Sequence, residues 1–207
     1  MSNDIEKFDI SNHFEKSILL RKRARVKRDY EAYINQFYID FEYQISELEL
    51  QCNQLHDKGE DLITAFIVNG LRSSGYPVTH DGNSNGHVDI NLNDPPFTWF
   101  GECKLQKGNE NTLGGFQQLT TRYSRGNDFG YHGGVIIYHQ NTTKKALTSL
   151  TEWKSFLTAD PEQIGIQCND ILHRKLYFDS SHEHEDSGYP YLIRHFEPYR
   201  VCRRLFI

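Results

Sequence analysis

The hydrophobic period of this chain first changes at Ser74-Gly75, and that change limits the folds open to it. Ahead of it, Ile34, Tyr38, Phe41, Ile45, Leu48, Cys52 and Leu55 recur at spacings of four and three with no Pro or Gly between them. That stripe predicts a long helix from Asp29 to Asp57. Gly59 interrupts it. Leu62, Ile63, Phe66, Ile67 and Leu71 then predict a second amphipathic helix, Glu60 to Ser73. Beyond Gly75 the pattern alternates in Tyr76–His80, Gly86–Leu92 and Phe97–Leu105, with turn-rich stretches at 81–85 and 91–96. Further along, a helix is expected over Gly115–Tyr123, a short buried strand over Gly133–His139 and a helix over Thr142–Leu157. Strands are expected over Ile171–Phe178 and Tyr191–Phe196, around a polar loop. Helices before a strand meander, then helix, strand and helix, make an α/β (α+β) chain.

At 207 residues the chain holds one domain plus an extension. Leu, Ile, Val and Phe supply 53 of the 207 positions, well above the roughly 20% below which chains stay disordered. Its apolar runs, such as Val135-Ile136-Ile137-Tyr138, are too short to cross a bilayer, so no membrane partner is expected. The polar N-terminus carries no secretory signal, and four scattered cysteines suit a reducing, cytoplasmic setting rather than a disulfide framework or Cys-rich zinc site. The net charge of −5 does not advertise a nucleic-acid binder, but the charge is segregated. Seven basic residues and no acid lie between Lys16 and Arg28; nine acids then face Lys58 alone between Asp29 and Asp61. The basic run is either a phosphate-binding patch or a solvated helix face. Likewise the stripe of residues 29–57 serves either the chain's own core or a homodimer or partner-protein interface.

The chemistry concentrates in the meander. On the strand Gly86–Leu92, Asp89 lies with His87 and Asn91 on the face opposite Val88, Ile90 and Leu92. On the next strand Glu102 and Lys104 share a face, and Cys103 and Leu105 point the other way. An acid and a base in a largely apolar strand need partners or a job. Asn93-Asp94-Pro95-Pro96 is turn chemistry, so a hairpin brings Asp89 beside Glu102 and Lys104. Two such carboxylates suit a hard divalent cation such as Mg2+, and a neighbouring ammonium can orient water or stabilise a developing phosphate anion. The set suits phosphodiester hydrolysis.

Asp89, followed after twelve residues by Glu102-Cys103-Lys104, resembles the core motif of the PD-(D/E)XK nucleases, the restriction-endonuclease-like superfamily. The resemblance runs from about Glu60 to His139. It implies a core with a central mixed β-sheet flanked by helices, over residues 59–207, behind an N-terminal helical extension, 1–58. It implies Asp89 and Glu102 as metal ligands, the Cys103 carbonyl as a third, Lys104 as the catalytic lysine and Glu60 as an assisting ligand on the preceding helix. Members often carry a glutamine and a tyrosine on the next helix. Here Gln117, Gln118 and Tyr123 fit with offsets of six and five rather than four, and Gln118 stands four before Arg122. Val88 replaces the motif's proline. The implied activity is Mg2+-dependent (or Mn2+-dependent) endonucleolytic cleavage of DNA, with RNA left open, in a bacterial or phage-defence setting. The alternative is an inactive nuclease-like subunit for nucleic-acid binding or assembly.

Other features weigh less. Asp57 and Glu60 fit a helix capping box as well as Glu60 fits a ligand. His182-Glu183-His184-Glu185-Asp186 reads as an exposed loop rather than a metal site. His87 and Asp81 lie close to the hairpin. Cys103 lacks a histidine partner as a nucleophile, and no G-x-x-x-x-G-K phosphate loop occurs. The candidate phosphate contacts are Arg21, Lys22, Arg23, Arg25, Lys107 and Arg122, with Arg125, Arg200, Arg203 and Arg204 behind them.

Overall fold

The computed structural model describes residues 12–83, 87–123, 127–141, 143–159, 166–172, 175–184 and 187–198, without the side chains of 81–83, 87 and 122–123. Arg125, Glu185, Asp186, Arg200, Arg203 and Arg204 therefore lie outside the described residues, as do the side chains of Asp81, His87 and Arg122.

Two helices open the chain, α1 (His13–Lys27) and α2 (Tyr30–Leu50). Asn12 and Asp29 cap them, accepting from the Phe14 and Ala32 amides at 3.0 Å each. The expected helix Asp29–Asp57 breaks at Gln51, and one further turn, α3 (Cys52–Leu55), follows. Then come α4 (Glu60–Ser73), β1 (Val78–Asn83), β2 (His87–Asp94), β3 (Phe97–Leu105) and α5 (Asn109–Gln118), which runs into a π-helical turn, Leu119–Tyr123. The chain continues with β4 (His132–Tyr138), α6 (Ala146–Ala159), β5 (Gln167–Cys168), β6 (Tyr177–Glu183) and β7 (Pro190–Phe196).

The seven strands form one mixed sheet in the order β1-β2-β3-β4-β7-β6-β5. β1, β2 and β3 make the antiparallel meander; β3, β4 and β7 run parallel; β6 and β5 close the far edge antiparallel. This is an α/β fold with four helices ahead of the sheet. No helix among the described residues is long and apolar enough to cross a membrane.

Strand alternation divides the core between the two faces. Ile90, Leu92, Phe97, Trp99, Cys103, Ile136 and Phe196 pack with Tyr33, Ile34, Phe37 and Phe41 of α2 and Ile63, Ile67 and Leu71 of α4. Phe100, Val135, Ile137, Phe178 and Ile193 pack with Leu113 and Phe116 of α5 and Leu150 and Trp153 of α6. Val88, beyond the β2–β3 ladder, joins this second cluster. The apolar stripe of α2 thus lies on the chain's own sheet.

α1 is the element that hydrophobic period does not announce. Its buried residues are Ser17, Arg21 and Ala24. Buried Asp40 of α2 accepts from Ser17 Oγ, from Tyr76 Oη at 2.5 Å and from Gln36 Nε2 at 3.1 Å, and pairs with His13 at 3.0 Å. A polar seam therefore ties α1 to α2 and to the chain after α4.

Two expectations near the C-terminus change. The strand expected over Ile171–Phe178 begins only at Tyr177, after a turn in which Leu176 is left-handed (φ 47). His182 and Glu183, expected in a loop, belong to β6 and pair with Tyr191 and Pro190. The His182 ring packs on Phe116 and Tyr191, and burial lowers its pKa to about 4. An inward row of Phe178, Ser180 and His182 lacks the aliphatic signature of a strand.

Candidate active site

The site forms where β2 parts from β3. Their ladder reaches Ile90–Gly101 and stops. Two β3 amides beyond that point are taken by carboxylates: Asp89 Oδ2 accepts from Cys103 N at 2.7 Å, and Glu60 Oε2 accepts from Leu105 N at 2.8 Å. Buried strand amides require partners, so these bonds lock the two acids against β3. Glu60 does not close a capping box. The N-cap of α4 is Gly59, without a side-chain bond, and Asp57 pairs with its neighbour Lys58 at 3.1 Å.

Glu102 and Lys104 project from β3 toward α5. The Lys104 ammonium lies 3.3 Å from Glu102 Oε2, 3.6 Å from Glu60 Oε1 and 3.7 Å from Asp89 Oδ2. Three acids from α4, β2 and β3 thus converge on one cation. The Glu102 side chain is only 1% exposed, and its Oε1 has no hydrogen-bond partner. Burial, then the charge of Asp89, pushes the Glu102 carboxyl up to about 8 against the pull of Lys104. Burial draws the Lys104 ammonium down, but Asp89, Glu102 and Glu60 outweigh it and raise its pKa.

Cys103 points the other way, as strand parity requires. Its thiol is fully buried and accepts from Tyr138 Oη at 3.3 Å, and Tyr138 Oη lies 2.9 Å from Thr64 Oγ1. Burial raises the thiol pKa well above its usual value, which leaves it a poor nucleophile.

Gly115 was not singled out by its motif, yet it shapes the site. A Cβ there would lie 2.9 Å from Lys104 Cε and 3.0 Å from Cγ. The bare backbone of α5 is the wall along which the lysine stem lies. Two adjacent glycines inside a helix, Gly114-Gly115, carry a propensity penalty that calls for a packing reason, and that was the available signal. Gln118 stands one turn after Gly115 on the same helix face; Gln117 does not share it.

The basic residues are not gathered here. Arg21 corrects the phosphate-contact reading. It is 7% exposed, donates to Ser74 O at 2.6 Å and Gly75 O at 3.1 Å, and lies over the Tyr76 ring. Those carbonyls take both terminal nitrogens of its guanidinium, at the far end of α4 from Glu60. Arg25 pairs with Asp94 at 3.2 Å. Lys22, Arg23 and Lys107 are exposed.

No family model, curated protein or solved structure matches the chain.

Among the described residues, no three His, Cys, Asp or Glu side chains are preset to hold a metal ion. The donor chemistry nevertheless fits a hard cation, with carboxylate oxygens throughout and a buried, unpartnered oxygen on Glu102. Asp89 and Glu102 are the central pair, with Glu60 beside them.

Proposed function

We propose that this chain is a metal-dependent nuclease of the PD-(D/E)XK kind that hydrolyses phosphodiester bonds within DNA. The observation that carries the reading is the convergence of Glu60, Asp89 and Glu102 on Lys104 where β2 leaves β3. The antiparallel meander joined to a parallel strand pair, with α4 before it and α5 after it, supports the same reading.

Asp89 and Glu102 would hold Mg2+ or Mn2+, with Glu60 assisting and the Cys103 carbonyl on the same strand. The cation, when bound, supplies Lewis-acid polarisation of the phosphate and a more acidic water. Glu102, with one oxygen unpartnered and buried, keeps a binding atom in reserve. Lys104 offers a permanent positive charge to the anionic transition state; it need not lose its proton to act. Gln118, on the α5 face that meets Lys104, is within the same wall and orients substrate or water. Lys22, Arg23 and Lys107 provide exposed charge for the nucleic-acid backbone.

The test is a panel of single- and double-stranded DNA and RNA incubated with Mg2+ or Mn2+. Cleavage of DNA that EDTA stops supports the proposal; inertness on the whole panel overturns it. A second reading draws on the carboxylates closing on Lys104 instead of forming a preset cage: a non-catalytic nucleic-acid-binding subunit. Binding that survives EDTA and Glu102→Ala, with no cleavage, would favour it.

A further inference from the structure

A site that is to take a divalent cation must keep its carboxylates together before the cation arrives. Like charges at this range repel and drive one acid toward its neutral form. Here a side chain opposes that drive. The Lys104 ammonium is 3.3 to 3.7 Å from one oxygen each of Glu102, Glu60 and Asp89. Two of those carboxylates are also tied to β3 amides, so they cannot swing away from it. On its other side the lysine stem meets the α5 backbone at Gly115. Glu102 Oε1, buried and unpartnered, marks a coordination position that the ammonium leaves unfilled.

We propose that Lys104 is the resting counter-ion of the site and withdraws from the three carboxylates when a divalent cation binds, which frees its ammonium for substrate phosphate. This rests on the metal-dependent reading above and adds to it an exchange: one side chain first holds the acids, then serves the anion. The two positive charges compete for the same oxygens, so Lys104 sets the cation affinity of the site. Replacing it by an uncharged residue of similar length leaves the acids with one more net negative charge and no internal competitor.

Titration calorimetry with Mn2+ on the full chain tests this. Lys104→Met is expected to bind Mn2+ about tenfold more tightly than the wild type, or more, while Asp89→Asn binds more weakly. If the wild type binds and Lys104→Met binds equally or less well, the exchange is overturned and the metal reading stands. If neither binds, both are overturned. Should Lys104→Met fail to fold, acetylation of the wild type followed by mass spectrometry replaces it. Lys104 labelling, relative to Lys58 and Lys144, is expected to rise several-fold with saturating Mn2+; unchanged labelling overturns the proposal.

Discussion

Burial holds Glu102 protonated up to about pH 8 when no cation is bound, whereas the unfolded chain ionises it near its ordinary value of 4.5. A raised carboxyl therefore makes unfolding release a proton between those limits, and stability falls as pH rises from about 4.5 to about 8. Glu102→Gln removes that loss. In EDTA, the melting temperature of the variant relative to the wild type is expected to climb by at least about 2 °C between pH 5 and pH 8. A difference that stays flat with pH would contradict the assignment. Glu102 and Lys104 were legible in the sequence because alternation puts them on one face of β3, and Asp89 because the turn at 93–96 folds β2 back beside them. That Val88 leaves the face of Ile90 and Leu92, and that Asp89 reaches the Cys103 amide, alternation does not tell. Arg21 was misread because its charge is visible in the sequence and its partners, two backbone carbonyls after α4, are not.

Among the elements, α5 and α1 carry the less visible design. Gly115 works through the atom it lacks. Gly115→Ala should crowd the Lys104 stem, lowering kcat for cleavage about tenfold or more with little change in KM. Because Ala favours helix, the melting temperature is expected to hold or rise. An unchanged kcat would remove Gly115 from the site. α1 was legible only as one of two readings of the basic run, a helix face, because its buried face is polar and no 3.6-residue apolar period marks it. Asp40 is the acceptor that makes that face buriable. Asp40→Ala leaves donors from α1, α2 and Tyr76 unpartnered and is expected to cost about 3 kcal/mol in urea unfolding. A loss under about 1 kcal/mol would show the seam to be incidental.

At the scale of the whole molecule, the helices before residue 59 and the sheet share one core. Tyr33, Phe37 and Phe41 of α2 meet Phe97 and Trp99 of β3 and Phe196 of β7. Residues 59–207 expressed alone would expose that sheet face, so they are expected to show no cooperative thermal transition. A cooperative transition in that fragment would make the first 58 residues a separable appendage. The order of strands and helices from 60 to 139 was legible from period and turn residues, but the bounds of α5 were not. It begins at Asn109, six residues before the helix expected over Gly115–Tyr123, because its first turns are polar and hold Gly114 and Gly115. The far sheet edge was not legible, since β6 is built from Ser180 and His182 packed on aromatic rings. Net charge does not show how its groups are used: three of the acids surround Lys104, and one of the bases is buried.

The central claim is that four side chains from three elements form one metal-dependent phosphodiesterase site. Conversion of supercoiled plasmid to nicked and linear forms, followed for the wild type, Glu102→Ala and Lys104→Ala at equal folded concentration with Mg2+, tests it most directly. Cutting by the wild type that both substitutions abolish is the predicted result. Cutting that either variant retains at the wild-type rate, or an intact plasmid with every protein, would contradict it.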